Sequence, residues 1–225
     1  MHAVAWNQRR TGKQMMKRRP VVVVLAAGRG ARFEGPGHKL EQLLGPSAEP
    51  LIASTLRHAI ETQLRVVVVS TESLAPLVQN HVAACDTVIV PSTSGNGPAK
   101  VFGMGYSIAA GVSASGDANG WLIVPGDMPL LQPESILAVA AALEHYPVAY
   151  AQYLGRRGHP VGFSTELYSE LVELQGDEGA RRLVARYPHA AVDVDDPGVL
   201  IDIDNRADLA RVRAQQRALL EVGKA

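Results

Sequence analysis

The chain has 225 residues, 47% of them hydrophobic, and its 22 basic and 22 acidic side chains cancel to a formal net charge of zero. Such a chain can bury a substantial core, and its balanced charge argues against a nucleic-acid polymer or a membrane surface as partner, though not against a mononucleotide. The lone cysteine, Cys85, excludes an intrachain disulfide, and no apolar run approaches the roughly 20 residues that span a bilayer. A reducing cytoplasm is expected, with Cys85 serving as packing.

Residues 1–19 are basic but lack the apolar segment and cleavage site of a secretory signal, so they read as a disordered tail, with Met15 or Met16 as a possible true start. A single domain is expected over residues 20–225. It opens on VVVVLAAGRGARFEGPGHK, residues 21–39: four valines and a leucine without in-out alternation, then a glycine-rich turn, then isolated cations. The apolar run fits a parallel strand covered on both faces. Residues 50–61 repeat apolar positions every three to four residues and read as a helix. RVVVVS at 65–70 is a second buried strand, and Thr71 or Ser73 can cap a helix running to about residue 84. A third strand is expected at 87–90, a loop rich in glycine and proline at 91–105 and a helix at 106–112.

GWLIV at 120–124 is the fourth strand, followed by the turn PGDMP and a helix from Pro133 to about residue 145. Strand and helix alternating at this spacing predict an α/β fold with a mostly parallel sheet, right-handed crossovers and helices on both faces. From residue 147 the rhythm changes. Two strands joined as a hairpin through a turn at 155–158 are predicted there, then helical stretches at 165–175 and 177–187. Strands at 190–194 and 199–203 and a terminal helix from about residue 206 complete the chain, with no internal repeat.

Ligands of open parallel sheets lie beyond the carboxyl ends of the strands, so three strand ends matter. At the first, Gly28 and Gly30 can turn backbone N–H groups toward phosphate oxygens that Arg32 and Lys39 would neutralise, and the same pattern also fits an ordinary strand-to-helix turn. Gly37-His38-Lys39 does not supply the Gly-Lys-Ser/Thr of a Walker loop, and Phe33 stands where a dinucleotide fingerprint needs a small residue. At the second, Asp127 is held between Pro125 and Pro129, either as a Mg²⁺ ligand or as a solvated turn aspartate. At the third, Asp202 and Asp204 in VLIDIDN share one face of an extended segment, as a second metal ligand or as a helix cap and a solvated strand end, since either Asp204 or Asn205 makes a good N-cap.

Six motifs occur in one order: LAAGRGARF with Lys39 downstream, GMGYSIAAG at 103–111, PGDMP at 125–129, GHPVGF at 158–163, GDEGARRL at 176–183 and DIDNRADL at 202–209. Together they resemble the nucleotidyltransferases of molybdenum-cofactor biosynthesis (MobA-like NTP transferases), most closely the CTP:molybdopterin cytidylyltransferase branch. The resemblance extends over about residues 21–211. It implies a Rossmann-like nucleotide-diphospho-sugar transferase fold with NTP over the glycine loop. Leu25, Ala26, Ala27, Gly28, Arg29 and Gly30 would line the nucleotide, and Arg32 and Lys39 would hold the triphosphate. Asp127 and, in preference to Asp202, Asp204 would bind Mg²⁺. Gly103 and Ser107 would contact base and ribose, and His159 would face the acceptor.

The implied reaction transfers NMP, CMP from CTP in this branch, to a small phosphorylated acceptor, molybdopterin, with release of pyrophosphate; a molybdoenzyme or a chaperone would be the protein partner. Transfers of this kind depend on positioning and on stabilising spread negative charge, so no enzyme nucleophile is needed. The sequence departs from the family pattern at His38, in the EGPG segment before it and at Gly105-Tyr106. These departures surround the nucleotide and bear on the choice of CTP more than on nucleotidyl transfer.

His159 alone reads equally as a structural residue bonded to backbone. Asp177 and Glu178 suit a helix N-terminus, Arg181 and Arg182 a solvated face, and Trp121 the core. Two other function classes fit parts of the chain. A catalytically silent nucleotide or pterin carrier needs no metal-centred site, and an NAD-dependent oxidoreductase is disfavoured by Phe33.

Overall fold

The computed structural model describes residues 19–28, 30, 33–45, 48–92 and 103–222. Strand β1 (Val21–Ala26) lies between β4 (Arg65–Ser70) and β6 (Trp121–Pro125), parallel to both. Beyond β4 lies β5 (Thr87–Ile89), and beyond β6 lie β8 (Arg156–Phe163), β7 (Val148–Tyr153) and β9 (His189–Asp193), giving the order β5-β4-β1-β6-β8-β7-β9. Only β8 runs against the rest, pairing antiparallel with β6 and β7. The sheet thus grows outward on both sides of β1. That reversal opens a crevice at the carboxyl ends of β1 and β6, where the glycine loop and residue 127 emerge.

The uninterrupted valines of β1 serve two cores at once, because successive strand residues face opposite sides of a sheet. Val22 and Val24 pack with Leu51, Ile52 and Leu56 of α1 (Leu51–Glu61), Ile136 and Val139 of α4 (Pro133–Ala142) and Leu209 and Val212 of α7 (Arg206–Val222). Val21 and Val23 pack with Ile108 and Val112 of α3 (Met104–Ala114), Leu171 of α5 (Tyr168–Val172) and Leu183 of α6 (Arg181–Arg186). Each side chain of this size, fully buried, contributes roughly 1.5–3 kcal/mol. Trp121 is a core residue, its indole N–H directed at the carbonyl and hydroxyl of Ser115.

Helix α3 approaches the sheet so closely that Gly111 leaves no room for a side chain: a Cβ there would lie 2.4 Å from Val23 Cγ1 and 2.9 Å from Val69 Cγ2. Gly111→Ala is therefore expected to lower stability by about 1–3 kcal/mol, although alanine in a helix interior is ordinarily worth about 1 kcal/mol over glycine. Urea titration of the two proteins measures this, and a stabilised variant would contradict it.

Several boundaries differ from those read in the sequence. The helix expected to reach residue 84 is only α2 (Ala75–Val78), since Gln79, Asn80 and His81 are all exposed and offer no apolar face to bury. Cys85, expected as packing, is exposed in the 3₁₀ turn Ala84–Asp86 leading to the edge strand β5. Helix α4 stops at Ala142, and the two stretches at 165–175 and 177–187 contract to the 3₁₀ turn Thr165–Leu167 with α5, and to α6. The hairpin turn is Leu154-Gly155, both at positive φ, so β8 already begins at Arg156. A two-residue ribbon, β2 (Leu43–Leu44) with β3 (Glu49–Pro50), was not legible in the sequence.

No strand forms at 199–203. Asp196 accepts a hydrogen bond from Gly198 N–H and starts the 3₁₀ turn Pro197–Leu200, whose Val199 buries itself against β8 at Gly158. The alternation of apolar residues there reflects burial of Val199 and Ile203 in the core without a sheet partner.

Candidate active site

The PGDMP turn after β6 is clamped from four directions. Gly126 N–H donates to the Leu25 carbonyl at 2.9 Å, and a Cβ on Gly126 would meet that same oxygen at 2.9 Å, so only glycine permits this approach. Thr55 Oγ1 donates to the Gly126 carbonyl at 3.1 Å and Ser54 Oγ to that of Pro129 at 3.2 Å, both from the buried side of α1. Ile203 N–H donates to the Asp127 carbonyl at 3.0 Å. The backbone bearing Asp127 is thus tied to β1, to α1 and to the segment that bears Asp204.

Across this frame Lys39 reaches both acids. Its Nζ lies 2.5 Å from Asp127 Oδ2 and 3.6 Å from Asp204 Oδ1, with the three side chains 12%, 15% and 25% exposed. Gly30, at φ 59°, leaves the space that the lysine stem crosses: a Cβ there would sit 3.3 Å from Lys39 Cγ. The EGPG segment therefore does not carry Lys39 away from the loop. Asp204 is not the helix cap, because Asn205 Oδ1 accepts from the N–H groups of Ala207 and Asp208, while Asp208 accepts from Asp204 and Asn205. Asp202 lies within the same field. Desolvation, then the charges of Asp127 and Asp204, hold its carboxyl above the usual range against the pull of Lys39.

Could these residues hold a divalent cation? Asp127 Oδ1 is buried without a hydrogen-bond partner, an acceptor left over after Lys39 has taken the other oxygen. Among the described residues no group of three or more His, Cys, Asp or Glu forms a closed metal cage. Two carboxylates at a crevice match the way Mg²⁺ is held, through one or two protein acids with water and phosphate oxygens supplying the rest. The site fits such an ion.

His159, in β8 opposite the end of β6, lies close enough for Asp127 to influence it. Burial lowers its pKa to about 4; the nearby Arg157 cation acts in the same direction, and a hydrogen bond with the Ile123 backbone and the charge of Asp127 oppose it. The imidazole is neutral at pH 7, and its Nδ1 is a second buried atom without a partner. Since the folded pKa lies below that of a free imidazole, the unfolded chain binds the extra proton between about pH 6.5 and 4. Stability on this account is complete above the unfolded pKa and is lost as pH falls toward 4. His159→Gln should flatten that acid limb, as measured by urea unfolding at pH 7 and pH 4.5; an unchanged difference between the two pH values would refute it.

Leu25 and Ala26 end β1, and Ala27, Gly28 and Gly30 follow at the crevice; Arg29 and Arg32 lie outside the described residues. Much of the loop expected at 91–105 also falls outside them. Gly103 and Ser107 sit at the amino end of α3, where the structure shows a packing role for the glycine. A Cβ on Gly103 would lie 2.4 Å from the Gly176 backbone, and Gly105 N–H donates to the Gly176 carbonyl at 2.8 Å. The GMG and QGDEG motifs therefore dock on each other. Glu178 pairs with Arg182 on the surface. The sequence reading did not single out Ser54 and Thr55 for the site, although two hydroxyls inside the apolar stripe of a helix were the available signal. It also passed over Asp196 in DDPG.

Residues 22–192 match the MobA-like NTP transferase domain. The purine catabolism protein PucB of Bacillus subtilis is 35% identical over 117 residues, 49% of this chain and 56% of that protein, so the chain spans little more than half of this relative. The Rv0371c homologue of Mycobacterium sp. strain JC1 superposes with a TM-score of 0.73 at 26% identity, covering 89% of this chain and 98% of that one. Rv0371c of Mycobacterium tuberculosis, in a complex with manganese, gives 0.68 at 25% identity over 87% and 98% of the two chains. No helix among the described residues is long and apolar enough to cross a membrane. Because that family match extends over residues 22–192, most of the chain, the protein belongs to the MobA-like NTP transferase family.

Proposed function

We propose that this protein is a Mg²⁺-dependent nucleotidyltransferase that moves NMP from NTP to a small phosphorylated acceptor with release of pyrophosphate, CMP and molybdopterin being the donor group and acceptor the sequence favours. The observation that carries the reading is the Lys39, Asp127 and Asp204 cluster beside the glycine loop at the switch point of the sheet. Membership of the NTP transferase family supports it, and so does a relative of similar fold that has been crystallised with manganese.

An acceptor phosphate oxygen attacks the α-phosphorus, the bond to the bridging oxygen breaks, and pyrophosphate leaves with the electron pair. Bound at Asp127 and Asp204, Mg²⁺ would supply charge neutralisation on the phosphate oxygens. Lys39 spans from those acids to the glycine loop and brings a fixed cation to the phosphates of a nucleotide lying over the loop. Gly126, Thr55 and Ser54 keep the Asp127 backbone from shifting as charge develops, which is where preorganisation lowers a barrier. His159, neutral and with its buried Nδ1 unpartnered, would meet the acceptor as a hydrogen-bonding group rather than as a cation.

The test is a screen of the four NTPs with Mg²⁺ against molybdopterin and other phosphorylated acceptors, read by pyrophosphate release. Release with CTP and molybdopterin is the expected result. Binding of NTP without release in any combination would replace the enzyme by a nucleotide carrier.

A further inference from the structure

We infer that His38 is a positioning residue for the nucleotide: a two-ended imidazole brace that holds the glycine loop at a set distance from the lysine turn. The inference rests on the proposed function for the identity of the ligand, and on His38's own contacts for the brace.

One ring nitrogen, Nδ1, accepts the Leu40 N–H at 3.2 Å, and the other, Nε2, lies 2.8 Å from the Gly28 carbonyl ten residues back. A nitrogen that accepts carries no proton, so the ring is the neutral tautomer with its N–H on Nε2, donating to Gly28. The backbone on the same residue is held as well: His38 N–H donates to Glu41 Oε2 at 2.8 Å, completing a reciprocal cap of the 3₁₀ turn Lys39–Glu41. That turn is anchored by Leu40, which is buried in the core, and Gln42 Nε2 closes the EGPG segment by donating to the Pro36 carbonyl at 2.9 Å. His38 is therefore fixed at its backbone and at Nδ1, and reaches out with Nε2 alone.

What it reaches is an exposed point of the loop. Gly28 is exposed, and a Cβ there would meet nothing within 4 Å. A partner that holds the Gly28 carbonyl limits where the backbone at Gly28 can lie relative to the lysine turn. In a loop whose work is to bring backbone close to phosphate oxygens, that placement is what binds. The EGPG segment has a part in this, since Gly37 at φ 72° turns the chain into His38 beneath the loop.

The experiment separates the two ends of the ring. His38→Asn keeps a short acceptor for Leu40 N–H and is too short to reach Gly28; His38→Ala loses both. Amide hydrogen exchange of the nucleotide-free protein over residues 26–30 is measured for each, together with thermal stability, the Kd for whichever Mg·NTP wild type binds tightest, and KM and kcat in the pyrophosphate assay. For His38→Asn the expected result is wild-type thermal stability, exchange in the loop faster by about tenfold, Kd and KM raised by about tenfold and kcat within about threefold. Loop exchange unchanged in His38→Asn, with loss confined to the stability of His38→Ala, would reduce His38 to a helix cap. Faster exchange with unchanged Kd would equally overturn its role toward the nucleotide. A wild-type protein that binds none of the four NTPs counts against the proposed function and removes the ligand from this inference, while the exchange data still decide the brace.

Discussion

Asp127→Asn is expected to lower the rate of pyrophosphate release by at least about 10³-fold while the fold persists, because one atom change removes the charge from the site and nothing from its shape. The carboxylate has one oxygen on Lys39 and one buried oxygen without a partner. An amide in its place can offer one neutral oxygen, and its NH₂ faces a lysine or an incoming cation with the wrong sign. Local geometry should survive, since the turn is held through backbone atoms by Gly126, Thr55, Ser54 and Ile203. Circular dichroism melts should therefore agree within a few degrees between the two proteins. Turnover near the wild-type rate in a correctly folded variant would remove Asp127 from the chemistry.

Asp196→Ala should have the largest effect on stability of any single polar substitution outside the site, about 3 kcal/mol, which for a domain of this size lowers the melting temperature by roughly 10 °C. Its carboxylate is 6% exposed and accepts from three donors: Gln132 N–H at 3.0 Å, Ser135 Oγ at 2.8 Å and Gly198 N–H at 2.8 Å. Truncation leaves the Ser135 hydroxyl and the Gly198 N–H buried without this acceptor, and each such loss at a charged partner is worth about 1.5–3 kcal/mol before relaxation, while water can reach the part-buried Gln132 N–H. The same residue joins the entry of α4 to the turn that precedes Ile203 and Asp204, so the damage should extend to activity. Asp196→Asn keeps the shape and one acceptor and is expected to lose about half as much. A melt of Asp196→Ala that overlays the wild type would show that the network contributes nothing net.

The strands of the parallel core were legible because nothing competes with their signal. VVVVL at 21–25, VVVV at 66–69 and WLIV at 121–124 are apolar at every position, and only burial on both faces explains that. Helix α1 was legible for the complementary reason, an apolar stripe with Arg57 and Glu61 left outside. The sequence misled where apolar spacing had a tertiary cause. Val199, Ile201 and Ile203 alternate like a strand, yet Asp196 and Pro197 set a 3₁₀ turn and the burial comes from β8 and the Asp127 turn. At 79–84 Val82 alone reaches the core, and the exposed Gln79, Asn80, His81, Ala83 and Ala84 give a longer helix no continuous apolar face.

At the site, strand ends and residue chemistry pointed to the glycine loop, Asp127 and Asp204, and to Lys39 as a cation nearby. Those are local properties of the chain: a strand that stops, a glycine that permits a turn, a carboxylate between prolines. What only the tertiary structure decided is which of these groups meet. Lys39 and Asp127 are 88 residues apart, and they touch because β1 and β6 are neighbours at the switch point and Gly30 leaves the lysine room. Asp204 is the one of the two acids that pairs with Lys39, and Asn205 takes the capping of α7. The hydroxyls of Ser54 and Thr55 and the imidazole of His38 acquire their roles from carbonyls presented by other segments. A backbone carbonyl has the same chemistry at every position of a sequence, and only the fold determines which side chain it faces.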